Sequence, residues 1–591
     1  MDADGARLRY ETAIKGPDSE RWEQGSSREL DRLVIDTKTG QWIPRNQVPA
    51  GRTISYYNPQ LSIKRRPEAD FPGGLEYRVR GTYGGNRSDF HGLTIAETAD
   101  IPTVKLLLNA TVSDAQANWL TTDISDFYLG TPMERPEYMR VPTKYIPTAT
   151  MIKHKLAALV HNGAVIMQLN KGIYGLKQAG RLAQQRLIRH LADHGYTPSE
   201  HSTCLFKHAT NGNVFTLVVD DFGLKYNTKA DAMHLLDTLE KLYKIKTNWA
   251  GDHYIGFDIR FGTCATTHTR TVTLSMPRYL PNALKRFQLG HHRPVHNPID
   301  YKSGAFCAIQ TPTPLDTSPL CSPEETKRIQ RIVGVLLYYT RAIDATFATA
   351  VSKVSSAQAH ATTNVLAAAE RLLEYAATHP TAELVYFASK MHLIVHGDAS
   401  YLSESKARSR GAGVFFLGDH DNPEIINAPL LCTTEILDVV VSAAAEAEYG
   451  AAFLNTKRAV PLQGTLLDLG MPPRPTLMCS DNKCAHGIAN DTVTQRHSKA
   501  MDMRYHFVRD RVRQGQLIVQ WAAGNTNLAD YLTKAHPTRH FAAMRPFFVT
   551  TPAQDPSWTT VTSNAPRTTY NSGRLTTADL PDPRPVSRIP G

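Results

Sequence analysis

The chain has 591 residues, 41% of them hydrophobic, which is enough for several domains with proper cores and too apolar for a disordered protein. Its formal charge of +11 favours a polyanionic partner without naming one. Seven Cys without CxxC spacing argue against a zinc site or disulfide framework, and no stretch approaches the roughly 18 apolar residues of a membrane span, so the expected setting is intracellular, with no membrane partner.

In chain order, residues 1–10 read as an N-terminal extension, and the pattern around Trp22, Leu30 and Leu33 predicts an amphipathic helix. The stretch LEYRVRGTY, from Leu75 to Tyr83, alternates apolar and charged residues as a half-exposed strand does, with Arg78 and Arg80 on its polar face. Such a face is ordinarily solvated; the sharper alternative is a clamp for a triphosphate or a template backbone. NWLTTDISDFYLG predicts a strand running into Asp123, with Tyr128 close behind. NVFTLVVDDFGLKYN predicts a hairpin whose turn presents both Asp220 and Asp221 above a buried strand. Adjacent like charges over a core are costly unless a cation compensates.

From about 291 to 390 the sequence is helical in period and Ala-rich, with no catalytic constellation. MHLIVHGDAS predicts a strand ending at Asp398, and RGAGVFFLG the strand after it. SAAAEAEYGAAFLNTK predicts a helix carrying Glu446 and Glu448, TLMCSD a strand ending at Asp481, and LIVQWAA a strand before a helix that bears Asp530. The run from Arg496 to Arg513 predicts a basic helix with Tyr505 and Phe507 between its charges, suited to phosphate contacts. Beyond about 538 the composition is rich in Pro, Thr and Ser and predicts a disordered tail. Seven acids thus form two sets: Asp123, Asp220 and Asp221, then Asp398, Glu448, Asp481 and Asp530. Carboxylate oxygens suit Mg²⁺, and two ions per set, roughly 3.5–4 Å apart, stabilise the attacking and leaving oxygens of a displacement at phosphorus. Two such sets in one chain point to a polymerase joined to a nuclease.

The series AIKGPDSERWEQ, YRVRGTYGG, TTDISDFYLGTPMERPEYMRVP, LNKGIYGLKQAG, TLVVDDFGL, YIGFDIRF and RIVGVLLYYTRAIDATFA, in that order, resembles the reverse transcriptase of Ty1/copia-class LTR retrotransposons. DASYLSES, AEAEYGA, SDNKCAHGIA, HSKAMDMRYHFVRD and GNTNLADYLTK resemble the RNase H domain that follows it in the same Pol polyproteins. Together the similarity runs from about residue 11 to about 535.

The resemblance implies an α+β right-hand polymerase (fingers, palm, thumb) followed by an RNase H-like mixed-sheet α/β domain. Fingers and palm would span 11–290, thumb and connection 291–390, the RNase H-like domain 391–537 and the tail 538–591. Asp123, Asp220 and Asp221 would hold one Mg²⁺ pair and Asp398, Glu448, Asp481 and Asp530 another, with Mn²⁺ as a substitute ion. Tyr128 would exclude a 2′-hydroxyl; Arg80 would contact the triphosphate; Gly175, Lys177 and Gln178 of YGLKQ would line the nucleotide and template path. Glu448 is preferred over Glu446 because a hydrophobic and then a small residue follow it. The loop Ala523-Gly524-Asn525 lacks the His of some cellular relatives, and Val218 and Gly180 also depart from the family pattern. The implied partners are an RNA template, a DNA primer, an RNA:DNA hybrid and dNTPs. The implied location is the cytoplasm, in a virus-like particle if the element is complete, or the nucleus. A decayed or domesticated fragment that only grips nucleic acid is the competing reading.

Overall fold

The computed structural model describes residues 8–66, 71–265, 267–290, 292–301, 314–422, 427–492 and 502–551. No helix among them is long and apolar enough to cross a membrane. Four sheets organise the described residues. The first has the strand order Gly40–Ile43, Ala164–Lys171, Pro132–Pro142, Ile54–Arg65, Leu75–Tyr83. Its last strand has the predicted bounds, and Tyr77, Val79 and Tyr83 are buried while Arg78 and Arg80 are half-buried on the other face.

The second sheet is antiparallel, with the order Ile245–Asn248, Asn118–Ile124, Asp221–Tyr226, Val214–Val218, Leu205–His208, Tyr196–Pro198. Helix Ile101–Ser113 packs under it and is buried continuously from Thr103 to Val112, its polar members finding partners inside: Lys105 Nζ donates to the Arg341 carbonyl at 3.2 Å and Thr111 Oγ1 to the Leu107 carbonyl at 2.8 Å. Asp100 caps its N-terminus by accepting from Thr103 N at 2.8 Å.

A small third sheet, His253–Tyr254, Phe257–Thr263, Arg270–Ser275, closes with Glu383–Phe387 only after four described helices, Tyr279–Phe287, Pro323–Ala342, Ala348–Ala357 and Thr363–Thr378. The fourth sheet has the order Leu431–Ile436, Arg408–Gly418, His392–Glu404, Thr476–Ser480, Leu517–Trp521. Its first three strands are antiparallel and its last two run parallel to the central one. Helix Ala444–Asp468 crosses this sheet, continuing through Gly450 and Pro461. Its close approach depends on a missing side chain, since a Cβ on Gly413 would stand 2.1 Å from Asn455 Oδ1. The α+β class read from the sequence is the class observed, with the sheet that carries two parallel strand pairs last in the chain.

One buried cluster runs from the second sheet through these helices into the fourth sheet. At one junction His201 N donates to Asp468 Oδ2 at 3.0 Å, and Ser202 Oγ donates to Thr465 Oγ1 at 2.7 Å. At another, the segment expected to begin a disordered tail folds: Thr538–Met544 is helical, Phe541, Phe548 and Val549 are buried, and Thr550 pairs with Glu383. Arg545 donates to Asp344 Oδ2 at 2.7 Å and to Tyr375 Oη at 2.7 Å. These aromatic and charged anchors outweigh the polar composition that surrounds them; residues 552–591 of that prediction lie outside the described residues.

Candidate active sites

Asp123 lies near the end of Asn118–Ile124 and is directly opposite Asp221 of the neighbouring strand. Asp221 also pairs with Val218, so the two-residue turn is Val219-Asp220 and not the aspartate pair. Val219 holds the turn at φ +63°, a conformation that β-branched residues rarely adopt. Ile124 N donates to the Asp220 carbonyl at 3.0 Å, tying the turn to the strand that bears Asp123. Burial, then Asp220 and Asp123, raise the Asp221 carboxyl to about 6. Burial also raises Asp123 and Asp220, against the opposing influence of Lys246 on the first and Arg80 on the second. Lys246 faces Asp123 from the edge strand.

Beside this acid set the Arg80 guanidinium lies 3.9 Å from the Tyr174 ring centroid, and Tyr174 meets Tyr128 edge to face at 5.3 Å. Tyr128 is half-buried, and a Cβ built on Gly180 would touch its ring at 3.9 Å. A cation, two aromatic rings and three carboxylates therefore share one wall.

In the fourth sheet, Asp398, Glu448 and Asp481 each offer a carboxylate oxygen within 4.8 Å of the others. Asp398 lies in the middle of its long strand and not at its end; Asp481 follows Thr476–Ser480; Glu448 comes from the first turns of the crossing helix. Ala399 N donates to Glu448 Oε1 at 3.2 Å, whereas Glu446 Oε2 accepts from Ser442 N at 2.8 Å, outside the acid group. Asp398 Oδ1 is buried without a hydrogen-bond partner. Burial, then Asp398 and Asp481, push Glu448 up to about 9, and burial pushes Asp398 to about 6. Asp530 sits on the short turn Leu528–Leu532 instead of a full helix. Its carboxylate raises Asp398 and Asp481, and its Oδ1 accepts from the Lys534 ammonium, which stands 3.6 Å from Asp398 Oδ2.

Residues 79–301 match the family model described as reverse transcriptase (RNA-dependent DNA polymerase). The retrovirus-related Pol polyprotein from transposon TNT 1-94 of Nicotiana tabacum is 23% identical over 427 residues, covering 71% of this chain and 30% of that protein. The polyprotein from transposon RE2 of Arabidopsis thaliana is 24% identical over 535 residues, covering 88% and 33%. Residues 79–301 are a copia-type reverse transcriptase domain. The chain spans about a third of the length of these relatives. Among solved structures, a foamy viral protease-reverse transcriptase in complex with double-stranded DNA aligns at 11% identity and a TM-score of 0.45, covering 86% of this chain and 82% of that one.

Within the reverse transcriptase domain the YGLKQ residues are placed differently from the expectation. Gly175 has φ +87°, and a Cβ on it would stand 2.3 Å from the Tyr83 carbonyl, so it serves a close backbone crossing. Gln178 is 4% exposed and donates to Glu137 Oε1 at 3.3 Å, and Lys177 Nζ reaches the Ser88 carbonyl at 3.4 Å. The Gln178 amide is thus turned toward a buried carboxylate. On the basic helix Asp502–Arg513, Arg509 and Arg513 pair with Asp491 at 2.6 and 2.9 Å, so much of its charge is satisfied within the protein. Arg496, His497 and Lys499 lie outside the described residues, as does the Tyr505 side chain. Sequence reasoning missed Tyr174, Lys246, Thr533, whose hydroxyl donates to Asp398 Oδ2, and Lys534. The last had a readable signal, a Lys four residues after Asp530.

Proposed function

We propose that the chain is an RNA-directed DNA polymerase, able to copy DNA as well, with a second site that cuts the RNA strand of an RNA:DNA hybrid. The observation that carries the reading is the burial of two like-charged carboxylate sets on two different sheets, each with carboxyls raised by burial and by one another. Mutual repulsion of this kind is destabilising without a cation. The orphaned Asp398 oxygen fits one, and so does the raised Asp221 carboxyl beside Asp220 and Asp123.

Asp123, Asp220 and Asp221 would hold one Mg²⁺ pair; Asp398, Glu448, Asp481 and Asp530 would hold the other. Bound there, the ions lower the charge on the reacting phosphate and favour the deprotonated nucleophile. The protein's own residues supply position. Arg80, steadied on Tyr174, offers a fork of donors to the triphosphate of a dNTP. Tyr128, held edge to face by the same Tyr174, would exclude a 2′-hydroxyl. The primer 3′-hydroxyl then attacks the α-phosphorus and pyrophosphate leaves, its bond to that phosphorus breaking as the new ester forms. In the second site water is the nucleophile and an RNA 3′-oxygen departs. Lys534 pairs with Asp530 and opposes the rise that burial imposes on Asp398 and Asp481.

Primer extension on an RNA template with Mg²⁺ and dNTPs, run beside cleavage of a labelled hybrid, tests this reading. Both activities are expected; folded protein that binds the duplex and performs neither would leave a nucleic-acid-gripping remnant.

A further inference from the structure

Apart from the acid set of the fourth sheet, one other group of metal-ligand character occurs among the described residues: Asp530, His536 and His540, whose ligand atoms all lie within 4.8 Å of one another. His536 is 8% exposed. Its Nε2 stands 3.0 Å from the Asp530 carbonyl oxygen and 3.5 Å from Asp530 Oδ2. Its ring stacks on Tyr531 with an interplanar angle of 12°, and Asn297 Nδ2 holds its carbonyl at 2.7 Å. His540, on helix Thr538–Met544, places its ring 4.8 Å from that of His536 and is exposed. One imidazole is therefore locked and the other lies at the surface, with a carboxylate between them and the hybrid-cleaving acids.

Two imidazoles and a carboxylate are a ligand set for zinc-class ions, which bind nitrogen donors far more tightly than Mg²⁺ does. We propose that Asp530, His536 and His540 form a zinc-class site that withdraws Asp530 from the hybrid-cleaving acids and so switches that activity off. The binding half stands on the three residues alone; the switching half rests on the nuclease reading above. Lys534 links the two. Its ammonium pairs with Asp530 Oδ1 and lies 3.6 Å from Asp398 Oδ2. When Asp530 turns to the imidazoles, Lys534 keeps only Asp398 and the neighbouring acids, where its charge opposes Mg²⁺. The first acid set, on another sheet, has no part in this exchange.

The test uses the full chain, stripped of metal and then supplied with Mg²⁺, compared with His540→Gln, a surface change that leaves the buried ring in place. Co²⁺ titration followed by visible absorption should show one bound equivalent in the parent that is lost in the variant. Zn²⁺ competition should show affinity weakened about tenfold or more. In Mg²⁺, Zn²⁺ should inhibit hybrid cleavage by the parent at concentrations that spare His540→Gln, while primer extension responds alike in both. Equal Co²⁺ stoichiometry and spectra in parent and variant would overturn the site. Binding lost in the variant with unchanged zinc inhibition of cleavage would overturn the switch. A parent that binds Co²⁺ through His540 yet never cuts a hybrid would leave the site standing and refute the nuclease reading instead.

Discussion

Glu448→Gln is expected to stabilise the metal-free protein while ending hybrid cleavage. Glu448 is 8% exposed, and burial, Asp398 and Asp481 together raise it from 4.5 to about 9. Because the folded-state value is raised, the folded protein holds a proton that the unfolded chain has released. Stability present below about pH 4.5 is then lost progressively as the pH climbs toward 9. At pH 8 the gap is about 3.5 units, and at about 1.4 kcal/mol per unit the cost is bounded near 5 kcal/mol. Titration shared with Asp398 and relaxation around the site reduce the expected gain to about 2–3 kcal/mol. Glutamine keeps the shape and still accepts from Ala399 N through its amide oxygen. Unfolding in EDTA should therefore give similar stabilities near pH 5 and a more stable variant at pH 8, by several degrees in Tm. Added Mg²⁺ should raise the parent and close the gap. A variant no more stable than the parent at pH 8, in EDTA, would show that Glu448 is a satisfied structural acid and that the cluster stores no repulsion for a cation to relieve.

Three further outcomes follow from particular contacts. Tyr128→Val should raise the ratio of kcat/KM for ATP over dATP by about tenfold or more while dATP use falls modestly, and an unchanged ratio in an active variant would make Tyr128 a packing residue. Arg545→Ala removes one member of a buried pair with Asp344, whose side chain is fully buried; the loss should be about 3–5 kcal/mol, with faster amide exchange over 538–550, and protection unchanged there would deny the segment its anchoring role. Val219→Gly relieves a φ of +63° and should leave stability equal or higher, by up to about 1 kcal/mol in denaturant unfolding; a clear loss would show that the valine side chain outweighs the strain.

The strands were legible where periodicity was clean. Leu75–Tyr83 alternates in sequence, and from Glu76 onward it alternates in burial. The acids were legible as types in context, and Asp398, Glu448 and Asp481 do converge from three separate elements. What escaped was set by tertiary partners. Asp221 reads as a turn residue until pairing with both Val218 and Asp123 makes it a strand residue. Gln178 reads as a polar lining residue until Glu137 draws it inward. The start of the tail reads as disordered because the run after 538 is short and diluted by polar residues, yet Phe541 and Phe548 find Tyr531, and Arg545 finds Asp344. Local composition carries no trace of partners about 170–200 residues away.

The central claim is that one chain carries two independent phosphoryl-transfer sites, and the most direct measurement is a crossed pair of variants assayed for both reactions. Asp221→Asn should abolish extension of a DNA primer on RNA and leave cleavage of a labelled RNA:DNA hybrid at the parent rate; Glu448→Gln should do the reverse. Loss of both activities from either single change, in protein that folds and binds the hybrid as the parent does, would contradict the two-site account.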